Sequence, residues 1–311
     1  MNNKEILQIA MAQSAEDIGC KAEDFTKSEN VICKYHMGEN ARKYIKQPVI
    51  GNFVLYGSNT VAAVQDDIRA ITEEYMKKFE FYHLFEAPNM HWLNKKLEEK
   101  GYGVCFMAEY YLPDKDRFYD MIGADLQSKS VLRTKRGYAV QSTANPCDAR
   151  IAYLQSRYGT IMNSDENGHS FPGLPEGFEY KVLEQKDFAE LYLPEWSNAI
   201  CKERKELDVL GVGAYENEKL VGLAACSADC DDMWQIGIDV LPEYRQNGIA
   251  SAITTRLAAE IMKKGKVPFY CTAWSNIRSV RNAYKCGFIP AWVEMTIKPL
   301  DAINKMNEEE A

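Results

Sequence analysis

The sequence predicts an α/β fold, because strand patterns and helical patterns alternate along it. Residues 233–241 form a mostly apolar stretch, and Pro242 ends it, since proline cannot donate a hydrogen bond to a strand ladder. Residues 210–215 and 220–226 flank the polar segment 216–219, which is typical of a hairpin. An amphipathic helix follows Pro242, with apolar residues four apart at Ile249, Ile253, Leu257 and Ile261.

The loop between this strand and this helix has the pattern Arg-x-x-Gly-x-Ala, from Arg245 to Ala250. A helix start leaves its first N–H groups without partners and carries a partial positive charge. Gly248 and Ala250 have almost no side chain, so a bulky anion can approach the backbone closely. The loop is therefore predicted to bind a diphosphate.

Two further elements extend the pattern toward the C-terminus. Residues 268–274 predict a strand, and a helix is predicted from Asn276 to Gly287, where glycine is a good C-cap. The order strand, strand, strand, loop, helix, strand, helix, strand covers residues 178–298. Together with the loop motif, it resembles the GNAT superfamily of acyl-CoA-dependent N-acyltransferases. The resemblance implies a mixed, mainly antiparallel central sheet flanked by helices.

The resemblance also implies that acetyl-CoA is the co-substrate. Backbone amides of the loop would bind its diphosphate, and the main chain near Ile238 and Val240 would bind the acyl group and pantetheine arm. Asn276 would cap its helix and also hydrogen-bond the pantetheine arm; a capping role alone is the alternative. The residues expected at acetyl-CoA are Ile238, Val240, Arg245, Gln246, Asn247, Gly248, Ile249, Ala250 and Asn276.

Transfer to an amine requires a neutral amine, and an alkylammonium with a pKa near ~10.4 is almost wholly charged at pH 7. A general base is therefore expected. Three carboxylates near the predicted acceptor side are candidates: Asp239, Glu294 on the last strand, and Glu195 on the predicted first helix of the second domain. Each has a solvated or ion-paired carboxylate as the alternative. Tyr284 is the candidate acid, although GNAT enzymes that use a tyrosine carry it at the position that Ala283 occupies here. One helical residue rotates a side chain by about 100°.

The histidines and cysteines are weaker candidates for catalytic residues. All four histidines precede residues 178–298, which carry the predicted catalytic elements, and no His/Cys cluster has the spacing of metal ligands, so no metal is expected. Cys286, next to a helix-ending glycine, is interpreted as a small buried residue rather than a nucleophile. Direct transfer in a ternary complex is the expected mechanism.

Composition excludes several classes of function. The chain has 311 residues and a net charge of −8, which argues against nonspecific nucleic-acid binding and would attract a cationic substrate. No apolar run approaches the ~20 residues that span a bilayer, and the start of the chain predicts an amphipathic helix rather than a signal peptide. The nine cysteines lack a close-spaced framework, so we expect reduced thiols in the cytoplasm.

Length favours two domains, which we place at residues 1–165 and 166–311 because residues 163–177 are rich in turn formers. Residues 49–55 and 61–64 predict a hairpin, followed by two helices and a buried strand at residues 104–108. This order repeats that of the second half. The first half is interpreted as a degenerate GNAT-like copy without the diphosphate loop, and an unrelated α/β domain is the alternative.

The two-part organisation resembles a bacterial GNAT group that includes zwittermicin-resistance acetyltransferases. It implies an N-acetyltransferase whose acceptor is the primary amine of a small molecule. The alternatives are a non-catalytic acyl-CoA-binding or regulatory protein and a protein N-acetyltransferase. Whether the chain forms a homodimer is left open by the sequence.

Overall fold

The computed structural model describes residues 1–116, 163–164, 170–171 and 173–310. Six helices lie in these residues: α1 (Asn3–Ile18), α2 (Arg69–Lys78), α3 (Ala87–Glu98), α4 (Ile249–Lys263), α5 (Ile277–Lys285) and α6 (Leu300–Glu310). The strands are β1 (Val31–Lys34), β2 (Gly51–Leu55), β3 (Thr60–Val64), β4 (Tyr102–Pro113), β5 (Asn163–Ser164), β6 (Ser170–Phe171), β7 (Phe178–Glu184), β8 (Asp208–Glu216), β9 (Lys219–Ser227), β10 (Met233–Val240), β11 (Val267–Thr272) and β12 (Phe288–Pro299).

Ten of the strands form one sheet in the order β1-β3-β2-β12-β4-β11-β10-β9-β8-β7. Two neighbouring pairs, β1 with β3 and β10 with β11, are parallel. The other seven pairs are antiparallel. The predicted mixed, mainly antiparallel sheet with flanking helices is therefore confirmed.

The two halves of the chain interleave in this sheet. Strand β4 lies between β11 and β12, and β12 in turn lies between β4 and β2. The strand that ends the first half thus pairs only with strands of the second half. The predicted boundary at residues 165/166 falls partly outside the described residues and stays a prediction, as does the interpretation of the first half as a GNAT-like copy.

The sheet has two distinct faces. Helices α4 and α5 pack on one face over β8–β11, with Ile236, Tyr270 and Phe288 in the shared core. Helix α1 covers the other face, where Phe269, Tyr110 and Trp292 are buried. Because paired residues of neighbouring strands point to the same side, this second face also carries Gly237 and Asp239 of β10, Cys271 of β11 and Glu294 of β12. We call it the α1 face.

Three local predictions need correction. Glu195 does not lie on an α-helix but in a short 3-10 turn, Pro194–Trp196, because Pro194 interrupts any longer helix across the segment between β7 and β8. The strand predicted at residues 104–108 extends to 102–113, and Phe106 is exposed rather than buried because it points away from the cores. Trp274 lies beyond the end of β11 and is also exposed.

Candidate active site

The loop between β10 and α4 has the backbone geometry of an anion site. Gln246 and Gly248 adopt positive φ angles of 68° and 81°, and left-handed residues of this kind occur in backbone turns that bind anions. Gly248 precedes the first residue of α4, and a Cβ built on it would meet nothing within 4 Å. The first turn of the helix carries no acidic side chain. The loop is thus open to a bulky anion at the positive end of a 15-residue helix.

Arg245 contributes to the shape of this loop. Its Nε donates a hydrogen bond of 2.9 Å to the carbonyl oxygen of Val240, the last residue of β10. The side chain therefore ties the loop to the strand end. The residues from Arg245 to Gly248 are exposed, which leaves their peptide groups accessible.

The two parallel strands diverge beside this loop. Their pairing ends at Ile236 and Tyr270, although β10 continues to Val240 and β11 to Thr272. Beyond that point β10 pairs only with β9, and β11 pairs with β4. The peptide groups of residues 237–240 that point toward β11 have no strand partner among the described residues. We call this gap the splay; it can hold an extended acyl-thioester arm against the strand edge.

Asp239 lies at the splay and accepts three hydrogen bonds. Its Oδ2 receives the backbone N–H groups of Asn198 and Ala199 at 2.8 and 2.9 Å, and its Oδ1 receives Asn198 Nδ2 at 2.7 Å. Burial raises the pKa of Asp239 above its ordinary value, against these donors. The geometry is that of a carboxylate that fixes the 194–200 segment against β10.

The other predicted catalytic residues lie apart. Glu195 is exposed, whereas its neighbour Trp196 is buried. Tyr284 lies on the α4–α5 side of the sheet, with its ring 5.9 Å from that of Tyr111, and Ala283 is buried in the same core. The structure therefore places Asp239 on the α1 face and Tyr284 on the opposite face.

The remaining predicted acetyl-CoA residues border the splay and the helix ends. Ile238 packs against the core beneath α4, and Val240 is buried there. Asn276 is the N-cap of α5, and its Oδ1 accepts the backbone N–H of Ser279 at 3.3 Å. The predicted capping role of Asn276 is thus confirmed, and its contact with the pantetheine arm stays a prediction.

A buried ionic cluster occupies the α1 face near the splay. Arg42 donates from Nε and its backbone N–H to Asp17 of α1, and from Nη2 to Glu294 Oε1 at 2.7 Å. Trp292 Nε1 donates to the same Glu294 oxygen at 2.8 Å, and Tyr110 Oη donates to Glu294 Oε2 at 3.2 Å. The guanidinium of Arg42 thus pairs with the carboxylates of both Asp17 and Glu294, so the cluster has one more negative than positive group.

More carboxylates line the same face. Asp229 is fully buried and accepts a hydrogen bond of 2.6 Å from Arg204 Nη1. Asp208 receives the backbone N–H of Cys201 at 2.9 Å and Tyr192 Oη at 3.3 Å, and burial raises its pKa to about 6. On the α1 face, the four carboxylates of Asp17, Asp208, Asp229 and Glu294 thus accompany two guanidinium groups, those of Arg42 and Arg204.

Among known families, the model for GNAT acetyltransferase matches residues 138–291, which include the diphosphate loop and the splay strands. The C-terminal half of the chain belongs to the GNAT acetyltransferase family. The protein is therefore an enzyme of acyl-CoA-dependent acetyl transfer. No curated protein matches the sequence. The more specific resemblance to the zwittermicin-resistance group is not confirmed.

Solved structures similar to this GNAT protein include a GCN5-related N-acetyltransferase-like protein from Streptococcus suis, at 16% identity and a TM-score of 0.38 over 68% of each chain. Another is a putative acetyltransferase from Salmonella typhimurium with acetyl-CoA, at 15% identity and a TM-score of 0.30 over 40% of this chain and 95% of that one. A tandem GNAT protein from the clavulanic acid pathway matches at 13% identity and a TM-score of 0.34 over 50% and 60% of the two chains.

Sequence reasoning missed the residues that meet only in three dimensions. Tyr44, Tyr110 and Arg42 come from the first half of the chain, yet they lie against Cys271 and Glu294 of the GNAT half. Glu294 was a candidate, but its buried partners were not. Of the four histidines, His36 and His91 are exposed and His83 pairs with Glu86 on its own turn, whereas His169 lies outside the described residues.

Two more properties bear on the setting of the enzyme. Eight cysteines lie in the described residues, and all of them are free thiols. In the same residues, no helix combines the length and apolarity that a membrane crossing requires.

Proposed function

We propose that this GNAT protein transfers the acetyl group of acetyl-CoA directly to the primary amine of a small molecule, within a ternary complex. The observation that carries the proposal is the pairing of an open loop at the start of α4 with a splay on a sheet whose α1 face carries several buried acidic residues. Gly248 leaves the loop open, and the α1 face supplies the acidic residues Asp208, Asp229 and Glu294.

The loop suits acetyl-CoA in both charge and shape. A diphosphate bridged by peptide N–H groups at a helix start gains charge-assisted hydrogen bonds without any lysine. The arm that follows would run along residues 237–240, and Asn276 lies at the start of the neighbouring helix α5. Arg245, Gln246, Asn247, Ile249 and Ala250 complete the proposed diphosphate site.

Direct transfer is favoured because the nearby cysteines are poor nucleophiles. Burial raises the pKa of Cys271 to about 12 and that of Cys286 to about 12. A thiol takes up an acyl group as its thiolate, so neither residue is suited to carry an acetyl intermediate at pH 7. The acceptor amine must therefore meet the thioester itself.

A cationic acceptor matches the charge of the α1 face, and a net charge of −8 adds a long-range attraction. A small acceptor is favoured over a protein because α1 and residues 38–47 of the first half cover this face. A reducing compartment such as the cytoplasm suits the free thiols.

The test is a calorimetric titration of acetyl-CoA, followed by thiol release with a panel of primary amines that includes aminated antibiotics and a lysine peptide. We expect saturable binding and thiol release that depends on a small amine. Initial-rate lines at several amine concentrations should intersect, as in a ternary-complex mechanism. Parallel lines would indicate an acetyl-enzyme and overturn direct transfer, and release with the peptide alone would overturn the small acceptor.

A further inference from the structure

A chain of hydroxyl groups leads from the splay into the buried ionic cluster. Tyr44 Oη lies 3.2 Å from Tyr110 Oη, and Tyr110 Oη lies 3.2 Å from Glu294 Oε2. Tyr44 is partly exposed, whereas Tyr110 is 2% exposed and Glu294 is 5% exposed. The chain thus leads from the half-buried side chain of Tyr44 to a buried carboxylate.

The direction of these hydrogen bonds is fixed by Glu294. An ionised carboxylate only accepts, so the single O–H of Tyr110 must point at Glu294. Tyr110 therefore accepts from Tyr44, whose own single O–H is then used as well. The outward side of the Tyr44 oxygen is left with lone pairs alone. It can only receive a donor, and an ammonium group is such a donor.

The buried end of the chain can take up a proton without creating a new charge. Asp17 and Glu294 share the one guanidinium of Arg42, which leaves the cluster with an excess charge of about −1. A proton delivered to Glu294 would offset that excess charge.

The two phenols stay neutral while they pass the proton. Burial raises the pKa of Tyr44 and that of Tyr110 far above the ordinary phenol value, so neither ionises at pH 7. Each must give up a proton as it receives one. The charged or titratable groups that surround the chain are Asp17, Cys271, Arg42, Arg204 and Asp229.

The Tyr44 end of the chain lies near Cys271 of β11. Cys271, the first residue of β11 beyond its last pair with β10, is opposite Tyr110 in the β11–β4 register. The segment that carries Tyr44 is anchored to the GNAT half, because Lys43 donates its N–H to the Asp229 carbonyl at 3.0 Å. The guanidinium of Arg204 lies 6.0 Å from the Tyr44 ring.

We propose that Tyr44 binds the acceptor amine as a hydrogen-bond acceptor and that its proton passes through Tyr110 to Glu294. This inference rests on the function proposed above. Tyr44 is then a catalytic residue supplied by the first half of the chain, and Tyr110 and Glu294 are positioning residues that act through it.

The proton reaches Glu294 in three transfers. The ammonium gives one proton to Tyr44, Tyr44 gives its own to Tyr110, and Tyr110 gives its own to Glu294. The neutral amine nitrogen forms a bond to the acetyl carbon and loses its second proton to solvent, the carbon–sulfur bond breaks, and the sulfur takes a proton from solvent. Glu294 later returns its proton along the same path, so the chain is regenerated.

The test compares the pH profiles of thiol release with n-butylamine for the wild type and Tyr44→Phe. The wild type should accept butylammonium, so its kcat/KM changes little between pH 7 and 9.5. Tyr44→Phe can react only with the neutral fraction of butylamine, so its kcat/KM should rise about tenfold per pH unit. At pH 7 its kcat/KM should lie roughly 10²-fold below that of the wild type. Acetyl-CoA affinity should not change.

Two further variants and a control separate a proton path from a structural effect. Tyr110→Phe and Glu294→Gln should show the same steep profile, because each breaks the path at a different point. Tyr56→Phe is the matched control: Tyr56 stacks on Trp292 at 5.3 Å, but its hydroxyl bonds Ser14 Oγ at 2.8 Å, outside the chain. It should keep the wild-type profile.

The outcomes are distinguishable. Parallel profiles for Tyr44→Phe and the wild type would overturn the proton path while leaving the acetyltransferase proposal intact. No thiol release by the wild type with any amine would overturn the amine-acceptor proposal, and the proton path with it. An equally steep profile in Tyr56→Phe would also overturn the path, because loss of any neighbouring hydroxyl would then have the same effect.

Discussion

The diphosphate loop and the α1 face are built in opposite ways. The loop consists of consecutive residues whose peptide groups are proposed to bind the diphosphate, and positive φ angles at Gln246 and Gly248 shape it. The α1 face instead joins side chains from distant segments, with Arg42 and Glu294 252 positions apart in sequence. Its chemistry depends on buried charge and hydroxyl direction rather than on backbone shape.

The difference predicts where each region is sensitive to substitution. A site made of exposed peptide groups contributes little to folding, so damage there should appear in binding. A site made of buried charges is part of the core, so damage there should appear in stability as well. The first half of the chain is thus tied to the catalytic half through the interior rather than through a surface contact.

The largest effect should follow from Arg42→Met, which leaves Asp17 and Glu294 buried without their shared cation. Removing one partner of a buried ion pair costs about 3–5 kcal/mol of unfolding free energy, and urea unfolding measures it. Arg69→Met is the control, because Arg69 pairs with Glu73 on the surface and should lose about 0.5 kcal/mol or less. Equal losses in the two variants would show that the buried cluster does not stabilise the fold.

The next effect should follow from Gly248→Glu, which affects binding rather than folding. A carboxylate in the open space at Gly248 would block and repel the diphosphate, and we expect acetyl-CoA affinity to fall about 100-fold, or about 2.7 kcal/mol, by calorimetry. Gly265→Glu is matched to it, because Gly265 also has a positive φ, 76°, and open space around its Cβ position. Unchanged affinity in Gly248→Glu would remove the loop from the acetyl-CoA site.

The smallest effect concerns pH. Burial raises the pKa of Asp208 from an ordinary 3.8 to about 6, so the folded state holds this proton more tightly than the unfolded state. Stability is therefore lost as pH rises through the window from about 4 to 6. Asp208→Asn should gain unfolding free energy relative to the wild type at pH 7 but not at pH 4. Asp66→Asn, at an exposed carboxylate, should show no such trend, and a gain that is equal at both pH values would contradict the assignment.

Much of the fold could be predicted from local patterns. The hairpin of β8 and β9 follows from apolar runs around a polar turn, in which Asn217 and Glu218 indeed adopt positive φ. The start of α4 follows from Gly248, and the start of α5 from Asn276, because caps are local hydrogen bonds. The segment around Glu195 was wrong as a helix, since one proline outweighed the apolar pattern.

The sequence by itself determined the class of fold and the diphosphate loop, because both depend on backbone geometry that a few neighbouring residues set. Only the tertiary structure decided that β12 lies next to β2 of the first half and that β4 lies next to β11 of the second half. Pairing between strands far apart in sequence cannot be inferred from the local pattern of residues. This strand order places Tyr110 within hydrogen-bond distance of Glu294. Arg42 then contacts Glu294, and Tyr44 contacts Tyr110. The side-chain chemistry of the acceptor side is therefore a product of topology.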